Sequence, residues 1–498
     1  MHRRVVSHSS RALLRSTSPA VPIRGIFLAH SAAIARGVAL DDVPRRSRRS
    51  FATSNASAST SSAHPTVNQD AQTPRAVTVT FANGKKTSFH YLWLRDHCRD
   101  ARSYHPATKQ RLVDTPTIPR DLTPQSVEAN SDGLFVTWPA DTYPSSQAYT
   151  SFFPWTFLLE HSYEPALDGR IPPKDKVLWT SEIANDPPMV EYDQVMGSEQ
   201  GVFEWVKRIH RFGFSFVRGI PPTPEATEAL IRRIAFIRDT HYGGFWDFTA
   251  DLKHGDLAYS NVMLNSHTDT TYFTDTRTKS PLSRQPCGLQ MFHLLSPATS
   301  HKGGHNLLVD GFQAAQTLRE THPEHYEFLS NVLLPSHASG TGSDSIPSGV
   351  HLTPLVRKPV FNHDPSNGEL IQVRWNGDDR GVVGGQGWDG GRMEKWFEAL
   401  RLWEGVLRSE KSQLWTEMEM GTAVIFDNHR VLHGRSSFVG ERRLCGAYVN
   451  HDDYRSRYVG LQIQFGPKGK EGRKRAEWEK SFGVTRKKGG GDGVWQGW

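Results

Sequence analysis

The chain has 498 residues, 37% of them hydrophobic, and a formal net charge of +7. That length allows two or three domains, and no run of about 18 apolar residues exists to cross a membrane. Residues 1–51 hold ten Arg against two Asp, a local +8, so the remainder carries about −1. A near-neutral body argues against nucleic-acid binding. The three cysteines, Cys98, Cys287 and Cys445, are too few for a disulfide framework and fit a reducing compartment.

Residues 1–51 are Arg- and Ser-rich, free of acid through residue 40, with only short apolar patches. That composition predicts a mitochondrial transit peptide, hence the mitochondrial matrix, with processing after Arg49-Ser50-Phe51 and a mature start near Ala52. Residues 52–74 (Ser, Ala, Thr, Asn, Pro) read as a disordered linker.

Residues 75–185 are expected to form a small β-rich domain. Val77 to Phe81 alternates, Asn83-Gly84 is a hairpin-turn signal, and Thr87 to Leu94 alternates again. Leu134 to Trp138 adds a strand. From 186 to 465 the pattern changes. Gln200 to Phe212 has helical spacing, Gly213 to Val217 reads as a strand, and Pro224 to Asp239 as a helix with Thr223 at its N-cap. Short alternating segments follow at 288–295, 305–310, 369–375, 422–426, 431–438 and 442–450. Helices first and many short strands afterwards predict a mainly β catalytic domain, a double-stranded β-helix or jelly roll with flanking helices. Within it, Arg392 to Ser409 is an amphipathic helix whose Met393, Trp396, Phe397, Leu400, Trp403 and Leu407 are expected to pack inward. The tail, 466–498, is basic, Gly-rich and expected to be largely disordered.

The chemistry concentrates in His267-Thr268-Asp269 and Val431-Leu432-His433. A His and a carboxylate two apart on a strand share a face. A distant second His completes the two-His-one-carboxylate set of non-haem Fe(II) oxygenases, which leaves metal positions open. Two other His-x-Asp pairs compete, His254/Asp256 and His451/Asp453, and His429 competes with His433. Position 254 sits in a loop-like run, 451 follows a strand end and 429 falls in a turn. Arg442 follows His433 after the turn Val439-Gly440-Glu441. A guanidinium there can clamp the far carboxylate of a dicarboxylate cosubstrate. Arg442, Leu444, Gly446 and Tyr448 share strand parity. Gly446 is expected to leave room for a ligand beside Tyr448.

From Phe89 to Tyr454 the chain resembles the Fe(II)- and 2-oxoglutarate-dependent dioxygenases that act on trimethyllysine and γ-butyrobetaine. Its anchors are Trp93-Leu94-Arg95-Asp96-His97-Cys98, His267 to Phe273, Pro286 to Gln290, Leu308 to Phe312 and Arg442 to Gly446. The first, second and last are closer to the trimethyllysine branch. The resemblance implies Fe(II) on His267, Asp269 and His433, with 2-oxoglutarate and O2 as cosubstrates and ascorbate in support. It implies a homodimer and a small quaternary-ammonium substrate, with no nucleic-acid or membrane partner.

It also implies an aromatic cage of Tyr242, Trp246, Tyr259 and Tyr448 for the trimethylammonium group, where cation–π attraction serves a cation that cannot hydrogen-bond. Asp256 stands where the butyrobetaine enzyme has Asn, so a carboxylate could meet the α-ammonium of trimethyllysine. Asn376 is the candidate for the substrate carboxylate. Asn306 replaces the cosubstrate-binding Thr or Ser near Gly303-Gly304. Of the family's N-terminal zinc ligands only Cys98 remains, with Asp100, Ser103 and Tyr143 nearby, so zinc is expected to be lost. Residues 274–285 resemble an insertion. The expected reaction is 3-hydroxylation of trimethyllysine in carnitine biosynthesis. The alternatives are γ-butyrobetaine hydroxylation and a non-catalytic jelly roll that binds metal or betaine.

Overall fold

The computed structural model describes residues 64–69, 74–140, 147–167, 176–249, 260–274, 285–297, 302–340 and 349–466. The leader, most of the linker, the tail, Asp256, Tyr259, His254, Tyr143 and nearly all of the 274–285 segment lie outside them. Among the described residues, no helix is long and apolar enough to cross a membrane.

The N-terminal part is built from two small sheets. One contains β1 (Thr66–Asn68), β2 (Ala76–Thr80) and β3 (Lys86–His90) and leads into α1 (Tyr91–Asp96). The other contains β4 (Ser126–Ala129), β5 (Gly133–Trp138) and β6 (Tyr149–Pro154), followed by α2 (Trp155–Glu160). Gly84 turns the expected hairpin at φ 79°, a conformation open to Gly at little cost. The alternating residues Val77, Val79, Phe89, Leu134, Val136 and Trp138 meet in one apolar core. Cys98 is buried there, its Sγ 2.8 Å from Ser151 Oγ, and Ser103 Oγ accepts from Arg95 Nη1 at 3.1 Å.

The larger part runs β7 (Met189–Glu191), α3 (Tyr192–Gly197), α4 (Glu199–Phe212), β8 (Phe214–Arg218), α5 (Pro224–Arg232), β9 (Phe245–Thr249), β10 (Leu264–His267), β11 (Leu289–Ser296) and β12 (Asn306–Asp310). It continues through α6 (Gly311–Thr321), α7 (Pro323–Asn331), β13 (Ala338–Gly340), β14 (Val350–Leu352), β15 (Phe361–His363), β16 (Leu370–Val373) and α8 (Gly390–Leu407). Strands β17 (Leu414–Thr416), β18 (Ala423–Asp427), β19 (Val431–Arg435) and β20 (Arg443–Val449) precede α9 (His451–Phe465). Local chemistry sets the helix ends. Ser198 Oγ accepts from Gly201 N–H at 3.0 Å to start α4, and Gly213 stops it at φ 80°. Thr223 caps α5 as expected, though that helix ends at Arg232.

A six-stranded sheet, β7-β8-β18-β11-β20-β9, faces a four-stranded sheet, β10-β19-β12-β17. This is the expected jelly roll. Strand alternation divides its side chains cleanly. Leu308, Leu414, Val424, Phe426, Val431 and Leu444 fill the space between the sheets. Their neighbours Ala423, Ile425, Ala447 and Val449 point outward beneath α4, α5 and α9. Leu307, Val309 and Leu432 point outward beneath α6, α7 and α8. In α8, Trp396, Ala399, Trp403 and Leu407 are buried, whereas Phe397 is 47% exposed. Phe397 sits one residue, roughly 100°, around from Trp396, at the edge of the apolar face.

Candidate metal centre

The candidate metal ligands come from two neighbouring strands, β10 and β19, and the turn after β10. β10 and β19 pair antiparallel with His267 opposite His433, and their ring centroids are 4.4 Å apart. Asp269 arrives differently from the expected strand alternation. β10 ends at His267, and Asp269 lies in the turn that follows. Thr268 docks that turn on Trp375: its N–H donates to Trp375 O at 2.7 Å, and its Oγ1 accepts from Trp375 N–H at 2.9 Å.

His267 Nε2 stands 3.2 Å from Asp269 Oδ1, and His433 Nε2 stands 3.6 Å from Asp269 Oδ2. The Nδ1 of His267 lies 2.8 Å from Asn265 O. A proton on Nδ1 answers that carbonyl and leaves Nε2 as the lone-pair donor. Burial opposes charge on all three groups. The Asp269 carboxylate nevertheless lies well below its usual range, because both imidazoles bond to it. His267 is shifted upward, since the bond to Asp269 and its charge outweigh burial. His433 is pushed down by burial and by the charge on His267. Two imidazoles and one carboxylate thus face one another at close range, the donor set a divalent cation would take.

Two further side chains orient Asp269. Gln290 Nε2 donates to Oδ2 at 2.7 Å, and Tyr448 Oη donates to the same oxygen at 3.0 Å. The sheet register makes this possible by placing Gln290 opposite Tyr448. Gln290 was one letter of a motif and carried no separate signal in the sequence, because its role depends on that cross-strand pairing.

A second cluster of potential metal ligands exists among the described residues: Asp427, His429 and His451. Two of these were sequence-level competitors. The His429 and His451 rings stack at 4.4 Å and 17°. Their in-plane lone pairs therefore run side by side instead of converging. His429 Nε2 also faces Pro286 O at 3.2 Å. The cluster reads as a stacked pair beside a carboxylate, and the His267 set is the better metal centre.

β19, which carries His433, also carries Arg435, and the charge of Arg442 reaches it. Arg442 and Arg435 are both buried, and among the described residues neither has a carboxylate partner. Burial pushes each guanidinium down to about 10, still charged at neutral pH. Arg442 Nη1, Arg435 Nε and Asn306 Nδ2 are buried without acceptors among the described residues. The Arg442 Nη1 lies 3.6 Å from where a Cβ on Gly304 would stand. Unmatched buried donors are costly, and a carboxylate ligand would satisfy them. The residues present therefore fit 2-oxoglutarate.

Of the four expected cage residues, Tyr242, Trp246 and Tyr448 belong to one aromatic cluster, together with Tyr272 and Phe273. Trp246 and Tyr448 meet edge to face at 5.8 Å and 69°, forming a corner. Tyr242 and Tyr272 hydroxyls are 3.1 Å apart. Gly446 does make room, but Trp246 takes it: an added Cβ would lie 2.4 Å from the indole and 1.9 Å from Met291 O. Asn376 Oδ1 accepts from Asp378 N–H at 2.9 Å, so only its Nδ2 is left to meet a ligand.

Fold and metal centre together define a non-haem iron dioxygenase. Residues 180–448 match the model of the taurine catabolism dioxygenase TauD, TfdA family, and residues 69–159 match the gamma-butyrobetaine hydroxylase-like N-terminal model. A trimethyllysine dioxygenase of Neurospora crassa is 42% identical over 77% of this chain and 82% of that protein. The human mitochondrial trimethyllysine dioxygenase is 36% identical over 75% and 83%. A gamma-butyrobetaine dioxygenase of a Pseudomonas species is more distant, 28% identical over 78% and 94%. The chain belongs to the trimethyllysine dioxygenase family of Fe(II)- and 2-oxoglutarate-dependent oxygenases. The leader's composition and the names of the mammalian relatives agree on the mitochondrion.

Proposed function

We propose that this chain hydroxylates N6,N6,N6-trimethyl-L-lysine at carbon 3 in the mitochondrial matrix. One observation carries the reading. Tyr448 joins the two halves of the site, its hydroxyl on the metal-binding Asp269 and its ring against Trp246. A trimethylammonium held at that corner keeps the rest of the substrate close to the metal centre.

His267, Asp269 and His433 would hold Fe(II), and Arg442 with Asn306 would bind the carboxylate end of 2-oxoglutarate. The bound pair supplies oxidative decarboxylation to succinate and CO2, coupled to insertion of one oxygen atom from O2. The chain's own part is orientation and exclusion of water. Gln290 and Tyr448 donate to Asp269 Oδ2 and so orient the carboxylate that would help hold the iron, with Oδ1 facing His267. Trp246, Tyr448 and Tyr242, with Tyr259, take the trimethylammonium. Asp256 selects the α-ammonium, and Asn376 meets the substrate carboxylate. Ascorbate supports turnover, and the working unit is a homodimer.

The test uses purified residues 52–498 with Fe(II), 2-oxoglutarate and ascorbate, offered each substrate in turn. Succinate and a product one oxygen heavier are expected from trimethyllysine. A preference for γ-butyrobetaine would overturn the substrate assignment. Succinate without product from either would point to another substrate. Asp256→Asn is expected to lose roughly ten- to a hundredfold in kcat/KM for trimethyllysine, the cost of a charge-assisted hydrogen bond. Sedimentation of the same protein as a monomer would remove the dimer.

A further inference from the structure

Asn428 sits in the turn between β18 and β19 and is 1% exposed. Its carboxamide forms three hydrogen bonds, all to distant backbone. Oδ1 accepts from Asp269 N–H at 2.8 Å. Nδ2 donates to Asp269 O and to Cys287 O, each at 3.0 Å. One side chain thus holds both backbone polar groups of a metal-binding residue. The next residue, Thr270, has φ 57°, the left-handed region that a β-branched residue rarely enters. Its Oγ1 accepts from Cys287 N–H at 2.9 Å.

β10 ends at His267, so no strand ladder fixes Asp269. Asn428 and Thr270 take the ladder's place. They tie Asp269 to Cys287, which leads into the strand that carries Gln290, and to the turn that leads into His433. Neither side chain contributes a metal-ligand atom.

We propose that Asn428 and Thr270 are positioning residues that set the Asp269 carboxylate in place before a metal ion binds. The proposal rests on the metal-centre reading and is independent of the substrate. Outer partners that orient ligands typically change metal affinity by roughly 10–100-fold when removed. Metal-free protein is titrated with Co(II) by calorimetry. Asn428→Ala and Asn428→Asp are expected to bind roughly 10–100-fold more weakly. Thr270→Val should also weaken binding, and Thr270→Ser should restore it. In turnover, Asn428→Ala should raise succinate formed per hydroxylated product while KM for the trimethylammonium substrate stays near wild type.

Folded Asn428→Ala and Thr270→Val proteins that bind Co(II) like wild type would overturn the proposal. If the variants fail to fold, amide exchange in the metal-free wild type decides. The Asp269 and Cys287 amides are expected to be protected, and fast exchange at both would reject the preset geometry. Wild-type protein that binds no metal would reject the metal centre itself, a distinguishable result.

Discussion

At the scale of single residues, the three groups at the metal centre cannot substitute for one another. His267→Ala, Asp269→Ala and His433→Ala are each expected to abolish metal binding and turnover, while His451→Ala keeps both. Loss of metal from the His451 variant with retention in the His267 variant, measured by metal content after dialysis, would move the site to the stacked cluster. Tyr448→Phe isolates a different contribution. It keeps the ring against Trp246 but removes the hydroxyl from Asp269. A hydrogen bond to a charged group contributes roughly 1.5–3 kcal/mol, so kcat should fall about ten- to a hundredfold with KM little changed. Trp246→Leu should do the reverse and raise KM, because each cation–π contact contributes roughly 0.5–2 kcal/mol to binding. Steady-state kinetics that show the same split for both variants would separate Tyr448 from the metal centre.

At the scale of elements, the turn before β19 is anchored by a buried ion pair. Arg430 Nη2 donates to Asp310 Oδ2 at 2.7 Å and Nε to Oδ1 at 3.0 Å, with both side chains at most 2% exposed. The guanidinium also donates to Arg211 O at 2.9 Å and Val177 O at 2.6 Å. Trp179 N–H and Phe312 N–H complete the carboxylate, at 3.1 Å each. The pair therefore joins the end of α4, the chain entering from the N-terminal sheets, the start of α6 and the β19 that carries His433. Breaking such a pair leaves a charge stranded and costs roughly 3–5 kcal/mol. Asp310→Ala should lower stability by that amount in denaturant unfolding. A change under about 1 kcal/mol would mean solvent reaches Arg430. On β20, Gly446→Ala should displace the Trp246 indole and press on the Met291 carbonyl of β11, raising substrate KM and lowering the thermal midpoint.

For the whole molecule, histidines shielded from solvent add a dependence of stability on pH on the acid side. Burial pushes His293 from 6.5 down to about 4, and its Nδ1 lies 2.6 Å from Thr227 Oγ1. Burial likewise lowers His210 to about 4, helped by the charges of Lys176 and Arg455. Both are neutral when folded and free to protonate when unfolded. Between pH 6.5 and 4 the unfolded chain therefore binds more protons, and stability rises with pH. Their contribution is complete above pH 6.5, is lost as pH falls towards 4, and changes little below. Each group adds a slope of at most about 1.4 kcal/mol per pH unit inside that window. His293→Gln should flatten the thermal-midpoint profile from pH 7 to 5. A profile parallel to wild type would remove His293 from this role.

The hydrophobic alternation of this chain was enough to predict a jelly roll, because a period of two dictates which strand faces are buried. His267, Asp269 and His433 stood out for a similar reason: few side chains bind metals, their order along short segments was visible, and the fold brings the three together. Sequence placed Asp269 on a strand, however, while folding placed it in a turn. What holds it there, Asn428, Thr270 and Gln290, comes from segments as many as 159 residues away in sequence. Neutral amides and hydroxyls carry no compositional signal, and their partners are backbone groups or cross-strand neighbours. Gly446 shows the same division. Its smallness implied a space beside Tyr448, but only the pairing of β20 with β9 decided that Trp246 would occupy it. Periodicity and ligand chemistry are local properties and can be read along a chain, whereas which distant amide meets which carbonyl is decided only when the sheets close.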